Sequence, residues 1–213
     1  MTKAERALET RERILTAACE VIADIGFENI SMRKVAEHAG VSKALLHYHF
    51  DTREKLFAEA MTHSFAQTGT DLDADADEVP AAVVLARIVS AMLPTDAVLR
   101  QDWKLWQELW VRAGRDTTAR HLAVDLYDQL HTWVGGAIER GIASGEFADC
   151  DVPSVSTLIL ALCDGLGIRV MLVDPRVDLG TARSAIWRTI APALGIAPDF
   201  PEIRRDAPPH LGW

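Results

Sequence analysis

Cysteine is scarce in this chain, and the spacing of the few cysteines excludes several classes of protein. Only Cys19, Cys150 and Cys163 are present, an odd number lying far apart in sequence. No Cys-x-x-Cys pair and no cysteine–histidine cluster with metal-ligand spacing occurs, so neither a zinc-stabilised domain nor a disulfide scaffold is indicated. We therefore expect reduced thiols in a cytoplasmic protein, without a metal or another cofactor.

Strand patterns and enzyme signatures are missing as well. Alternating runs of Val, Ile, Thr and Tyr do not occur, whereas Ala, Leu, Glu and Arg dominate, and this composition predicts an all-α fold. The sequence contains no GxSxG, HExxH or GxxxxGK[ST] motif. We therefore do not expect an enzyme.

Export and membrane insertion are not indicated either. The stretch Met1–Arg13 is charged and lacks the apolar core of a signal peptide. The longest apolar run, Val152–Val173, approaches the length of a membrane span, but Asp164 and Arg169 interrupt it and Pro153 bounds it. A buried helix at a subunit interface explains this run better than a span does, so no membrane partner is expected.

The overall charge is negative, yet its distribution does not exclude a nucleic-acid partner. The formal net charge is −9. Residues 1–60 hold 9 Lys/Arg and 10 Asp/Glu, so nearly all of the excess acidity falls in residues 61–213. The N-terminal part is close to neutral, which leaves room for a basic face on its surface.

Hydrophobic periodicity predicts helices along most of the chain. An apolar stripe runs from Arg11 to Ile25, short helices follow at Met32–Ala39 and Lys43–Tyr48, and a fourth helix starts after Thr52. Five further helices are predicted at Pro80–Leu93, Asp96–Gly114, Thr117–Gly145, Pro153–Asp174 and Leu179–Leu194.

Three regions are predicted from this pattern. Residues 1–60 form a head of three helices plus the start of a fourth, and residues 61–194 form a larger helical body. Residues 195–213 contain four prolines and are expected to pack loosely as a tail. The acidic segment Thr70–Glu78 is predicted to be a linker and the place where disorder is most expected.

The segment Ser31–Phe50, SMRKVAEHAGVSKALLHYHF, has the pattern of a helix-turn-helix. Gly40 permits a sharp turn and Ser42 can cap the second helix. Leu46 and Phe50 are expected to face the core, because a helix that enters the major groove must be exposed on its other side. The residues then left available to DNA are Ser42, Lys43, Ala44, Leu45, His47 and Tyr48.

The run AGVSKALLHYHFDTREKLF resembles the signature of TetR-family transcriptional regulators, over about residues 11–60 without a gap. By that resemblance, one group of side chains is expected to hold phosphates: Ser31, Arg33, Tyr48, His49 and Lys55. Another group is expected to face base edges: Lys43, Ala44, Leu45 and His47. The chain departs from the common pattern at Ala44-Leu45 and at His47, where Leu45 offers apolar contact to a thymine methyl group.

Simpler roles compete with these assignments. Tyr48 and His49 could have no role beyond packing against the first helix, and Arg33 could belong to a solvated face. His47 and His49 could be mistaken for a metal pair, but no acidic or cysteine ligand lies at a suitable spacing. No metal site is therefore predicted.

The body carries a stripe of tryptophans. Leu99, Trp103, Trp106 and Trp110 recur at spacings of four, three and four residues, which places them on one helical face. Such rings either fill the core or form a wall suited to a flat or cationic ligand. Trp133 lies on the next long helix, and the polar candidates are His121, Asp164 and Arg169. For Asp164 and Arg169, an interface pair or a helix cap is the more common role.

Residues 80–194 also resemble, more loosely, the C-terminal domain of the BetI-type subgroup of TetR regulators. The resemblance lies in Trp103–Trp110, LYDQLHTWVGGAIERGIASGEF and LALCDGLGIRVMLVDP. It implies that the last two long helices form a dimer and that earlier helices line a ligand cavity. The candidate ligand-binding residues are Trp103, Trp106, Trp110, His121, Trp133 and Asp164.

These observations predict a homodimeric repressor that binds a palindromic double-stranded DNA operator and is released by an unidentified small-molecule effector. One rival hypothesis is a ligand-binding or catalytic helical protein whose helix-turn-helix is incidental. Another is an interaction protein that uses the head to hold a protein partner. Salt-dependent binding to a palindrome distinguishes the repressor from the first rival. For the second rival, substituting Lys43 and His47 should leave binding of the protein partner intact.

Overall fold

The computed structural model describes residues 2–73, 78–201 and 203. Within these residues all of the regular secondary structure is helical and there is no strand, which confirms the predicted all-α class. A 3₁₀ turn, Phe27–Asn29, separates the first two helices. The helices are α1 (Lys3–Ile25), α2 (Met32–His38), α3 (Lys43–His49), α4 (Arg53–Asp73), α5 (Ala81–Ala91), α6 (Ala97–Ala113), α7 (Thr117–Ser144), α8 (Val152–Met171) and α9 (Leu179–Leu194).

Several helix boundaries differ from the expected ones by one to three residues, and the end of α8 lies at Met171 instead of Asp174; the start of α1 differs most. α1 begins at Lys3, about two turns earlier, because Thr2 and Glu5 form a reciprocal capping box. The Thr2 hydroxyl accepts from the Glu5 amide at 3.2 Å and the Glu5 carboxylate accepts from the Thr2 amide at 2.8 Å. α3 continues to His49, and the Phe50 amide still donates to the Leu46 carbonyl at 2.9 Å.

The predicted acidic linker, 70–78, lies partly within α4, which runs through Asp73. Residues 74–77 lie outside the described residues. Trp187 of α9 donates its indole N–H to the Ala197 carbonyl of the tail at 3.0 Å and packs edge-on against Phe200, so the first part of the tail packs against α9. Residues 204–213, where the loosely packed tail is predicted to continue, are outside the described residues.

The chain divides into two compact units. The first consists of residues 1–71 and 96–129, and the second of residues 72–95 and 130–213. The first unit therefore contains α6 and the beginning of α7 together with the N-terminal helices. The predicted boundary at residue 60 rests on the motif, and it stays a prediction about function.

One apolar core holds the first unit together. Each of α1 to α4 contributes buried side chains to it, and so do α6 and the first turns of α7. Its largest fully buried members are Ile14, Leu15, Ile22, Phe27, Leu46, Phe50, Leu56, Phe57 and Leu105. Because Leu105 and Leu109 belong to the same core as the helix-turn-helix, α6 supports the head directly within this unit.

The second unit is built around α8 and α9, which pack against each other. α9 ends at Leu194, as expected, and Gly195 caps it with a left-handed backbone conformation (φ 67°). Trp187 and Ile186 are buried on α9, and Cys163 is buried on α8.

Candidate DNA-binding surface and effector site

The turn between α2 and α3 has the geometry that the helix-turn-helix pattern predicts. Gly40 adopts a positive φ of 65°, a conformation that L side chains rarely take. The Val41 amide donates to the Ala36 carbonyl at 3.0 Å, which closes the turn. Ser42 then caps α3, because its hydroxyl accepts from the Leu45 amide at 3.1 Å. These contacts fix the direction in which α3 leaves α2.

α3 presents one face to the core and the other to solvent. Leu46 and Phe50 are completely buried, as expected. Tyr48 is 80% exposed, so the alternative in which it packs against α1 does not hold. His49 is partly buried, with its ring against Tyr48 and Phe50. The residues predicted to be available to DNA are all exposed: Ser42, Lys43, Ala44, Leu45, His47 and Tyr48.

The predicted phosphate-holding side chains lie at the surface of the same unit. The Ser31 hydroxyl caps α2 by accepting from the Lys34 amide at 3.2 Å. Arg33 pairs with Glu37 at 3.6 Å, and Lys55 pairs with Asp51 at 3.4 Å. Exposed pairs of this kind contribute at most about 1 kcal/mol, so both cations can exchange their carboxylate for a phosphate. Their DNA contacts remain a prediction.

A cluster around Phe27 anchors the connection between α1 and α2 to α6. The guanidinium groups of Arg112 and Arg53 both lie over the Phe27 ring, 3.7 Å and 4.7 Å from its centroid. The ring also packs edge-on against Phe57. Glu108 accepts from the Phe27 amide at 3.1 Å. Sequence reasoning missed the roles of Glu108 and Arg112, although their spacing of four residues, on the face of α6 away from the tryptophans, could have indicated a second contact surface.

The predicted tryptophan stripe forms a cluster of rings within the first unit. Trp110 contacts both Trp103 and Trp106, with ring centroids 5.8 Å apart in each case. Trp106 also contacts Phe65 of α4 at 6.1 Å and Tyr127 of α7 at 5.4 Å. Trp103 is buried, whereas Trp106 and Trp110 keep part of their surface exposed. We call these five rings the aromatic cluster. Phe65 and Tyr127 were not expected, because their positions carry no periodic pattern with the tryptophans.

The other candidate ligand residues are distributed over both units. His121 is exposed on α7 in the first unit. Trp133 and Asp164 are partly buried in the second unit, on α7 and α8. Arg169 pairs with Asp174 at 2.7 Å near the end of α8, a local ion pair in place of the expected interface pair or cap of a neighbouring helix. The ligand-binding roles of His121, Trp133 and Asp164 stay predictions.

A partly buried carboxylate lies beside the aromatic cluster and was also missed. Asp102 of α6 accepts a hydrogen bond from the Ser64 hydroxyl of α4. Burial raises the pKa of Asp102 to about 6, against the lowering effect of the Ser64 hydrogen bond. On α1, burial and, second, the nearby Asp102 carboxylate raise the pKa of the Cys19 thiol to about 12. Ionisation of Asp102 is therefore energetically unfavourable in this partly buried position.

Two family models and a curated relative match this chain in sequence. A family model described as "Bacterial regulatory proteins, tetR family" matches residues 14–60, and one described as "BetI-type transcriptional repressor, C-terminal" matches residues 81–195. The chain is 28% identical over 178 residues to the HTH-type transcriptional regulator BetI of Brucella anthropi, covering 83% of this chain and 87% of that protein.

Solved structures resemble the chain over most of its length. A putative transcriptional regulator from Saccharomonospora viridis, solved in complex with choline, is 29% identical with a TM-score of 0.77, covering 87% of this chain and 97% of that one. A TetR transcription regulator from Haloarcula marismortui has a TM-score of 0.76 over 87% of this chain and 98% of its own, at 21% identity. The second likeness supports the fold.

Proposed function

Because the chain belongs to the TetR family of transcriptional regulators, with a BetI-type C-terminal domain, we propose that it represses transcription by binding a palindromic operator as a homodimer and leaves the operator when a small-molecule effector binds. The family is one of regulators and not of enzymes. Regulators of this family act by binding DNA, and we therefore expect this protein in the cytoplasm.

The observation that carries this proposal is the two-sided character of α3. Leu46 and Phe50 hold the helix in the core, while Lys43, Leu45 and His47 project into solvent. A helix anchored in this way can enter a major groove about 12 Å wide without unfolding the head. Lys43 can donate to guanine, and Leu45 can contact a thymine methyl group.

The dimer is proposed to form through α8 and α9. Leu158 and Ile168 of α8 are more than a third exposed, although α8 is strongly apolar. Among the described residues, α8 is the one helix long and apolar enough to cross a membrane by length and composition. α8 falls within residues 81–195, which the C-terminal family model matches. A second copy of α8 and α9 would cover the exposed apolar surface of α8. Two heads about 34–36 Å apart would meet successive major grooves.

The aromatic cluster is the proposed effector site. Its rings come from three helices, and two of its tryptophans retain exposed surface. The regulator from Saccharomonospora viridis was solved with choline, which supports a quaternary ammonium effector for this chain. A flat hydrophobic metabolite is the competing class, since rings of this kind accept either.

Release of DNA requires the effector to favour a conformation that cannot bind the operator. α6 carries the tryptophans on one face and the Glu108–Arg112 contacts to Phe27 on another, so a shift of α6 would move the head. The effector must bind the shifted conformation more tightly, by about 1–3 kcal/mol for ordinary coupling and roughly 5.5 kcal/mol for nearly complete switching.

Substitution of the exposed face of α3 tests the proposal. In fluorescence anisotropy with duplex DNA from upstream of the chain's own coding sequence, we expect Lys43→Ala and His47→Ala each to weaken binding about 10-fold or more. Lys104→Ala is the matched control, because Lys104 is exposed on α6 outside the helix-turn-helix. An equal effect of Lys104→Ala, or no preference of the unaltered protein for this duplex over random DNA at low salt, would refute the proposal.

A further inference from the structure

Arg11 of α1 lies across the corner at which α3 meets α4. This corner is short, because α3 ends at His49 and α4 begins at Arg53. The Arg11 guanidinium lies over the Phe50 ring, 5.4 Å from its centroid, and also pairs with the Glu59 carboxylate of α4. A single side chain of α1 therefore contacts the end of α3 and the first turns of α4.

Phe50 connects the Arg11 contact to the end of α3. The Phe50 ring is completely buried and its amide donates to the Leu46 carbonyl at 2.9 Å, so the residue is fixed both to the core and to the last turn of α3. The His49 ring lies against Phe50, with centroids 6.2 Å apart, and against Tyr48, at 5.3 Å. A displacement of Phe50 therefore displaces Tyr48 and His49, which are predicted to hold phosphates.

Glu59 fixes the other side of the corner. It lies one turn after Lys55, another predicted phosphate-holding residue. The Glu59 side chain is 26% exposed and that of Arg11 is 41% exposed, so the ion pair is partly withdrawn from water. Burial lowers the pKa of His63, one turn further along α4, while Glu12 raises it and Arg11 lowers it. Charged groups of α1 thus face α4 along this seam.

We propose that Arg11 is a positioning residue for operator binding, which holds α3 and α4 at a fixed angle and thereby sets the spacing of Tyr48 and Lys55 on the DNA backbone. The inference rests on the proposed operator binding and adds a residue that acts without touching DNA. A corner that is free to move must be ordered when the operator binds, and this ordering costs affinity. Arginine suits the role because its planar guanidinium stacks on a ring and pairs with a carboxylate, whereas lysine offers a single point charge.

Removal of the Glu59 charge is the sharpest test, because electrostatics and positioning predict opposite results. Glu59→Gln removes a negative charge from the head, so electrostatics alone would raise operator affinity. If Glu59 acts by holding Arg11, the same change should lower it. A partly exposed ion pair contributes about two- to five-fold in each head, and the two heads of a dimer multiply this to about 5- to 25-fold. Fluorescence anisotropy with the upstream duplex measures the change.

Variants of Arg11 complete the cycle. Arg11→Gln should lower operator affinity by a similar factor, and the double variant with Glu59→Gln should lower it no further, because the two residues act as one unit. Arg11→Lys should recover part of the loss. Affinity for a random duplex of equal length is the reference, since non-specific binding depends on charge and not on this angle. Arg13→Gln is the matched control, because Arg13 is exposed on α1, and should leave the ratio of the two affinities unchanged.

Three results would overturn the inference. The first is an unchanged or raised operator affinity with Glu59→Gln. The second is a salt dependence that becomes less steep by about 1.8 with Arg11→Gln, as expected if Arg11 itself contacts one phosphate in each head of the dimer. The third is a loss of affinity that only follows the fraction of unfolded protein, measured by urea denaturation of each variant.

Operator binding by the unaltered protein separates this inference from the proposed function. If the unaltered protein binds the operator and the variants at Arg11 and Glu59 bind it equally well, only the positioning role is contradicted. If the unaltered protein has no preference for any operator, both fail.

Discussion

Operator affinity is expected to fall about 10³-fold when monovalent salt is raised from about 50 to 200 mM. Of the exposed cations on or beside the helix-turn-helix, Arg33, Lys43 and Lys55 are the ones proposed to contact DNA, three in each head and six in a dimer. Each phosphate that is neutralised releases condensed counterions, so the logarithm of the affinity falls with the logarithm of the salt concentration with a slope of about −0.9 per contact. Anisotropy titrations at four or five salt concentrations measure this slope.

The slope itself identifies the residues involved. Replacing both Arg33 and Lys55 by glutamine removes four charges from the dimer, and should make the slope less steep by about 3.6. Lys104→Gln removes an exposed charge from α6 and should leave the slope unchanged. A slope near zero in the unaltered protein would mean that the head makes no contacts with DNA phosphates. An equal change of the slope with Lys104→Gln would mean that the change is not specific to cations of the helix-turn-helix.

Phe27→Ala is expected to lower the free energy of unfolding by about 3–5 kcal/mol. The ring is 1% exposed and contacts Phe57, Arg53 and Arg112, so its loss removes apolar burial and two cation–ring contacts at once. The Arg112 guanidinium would be left partly buried without the ring it lies on, which adds to the cost. Urea denaturation followed by circular dichroism measures the change.

A second substitution separates packing from side-chain removal in general. Leu8→Ala removes an apolar side chain that is 57% exposed on α1, and should change the free energy of unfolding by less than about 0.5 kcal/mol. Phe27→Leu retains apolar volume and should fall between the two. If Phe27→Ala cost no more than Leu8→Ala, the Phe27 cluster would not be what anchors α6 to the head.

The helix-turn-helix could be predicted from sequence because its determinants are local. Gly40 and Ser42 define the turn and the helix start within a few residues of each other, and the apolar spacing of Leu46 and Phe50 sets which side of α3 is buried. The tryptophan stripe on α6 could also be predicted, because its spacing is a local property of the sequence. The early start of α1 also has a local cause in Thr2 and Glu5, but its apolar stripe does not extend that far.

The remaining features depend on contacts between residues distant in sequence. Asp102 meets Ser64 across 38 positions and Glu108 meets Phe27 across 81 positions. Nothing in the local pattern of α6 distinguishes Asp102 from a solvated aspartate, because its cost arises only when α4 covers it. Burial by another element is a property of the fold, and a single sequence without an alignment does not show which polar residues are covered.

Selection of duplexes from a random library with the unaltered protein tests most directly whether two copies of α3 read DNA. The account predicts enrichment of an inverted repeat whose half-site centres lie one helical turn, about 10–10.5 base pairs, or a multiple of it apart. Enrichment of no sequence at all, at low salt and without added effector, would contradict the claim that the exposed face of α3 recognises an operator.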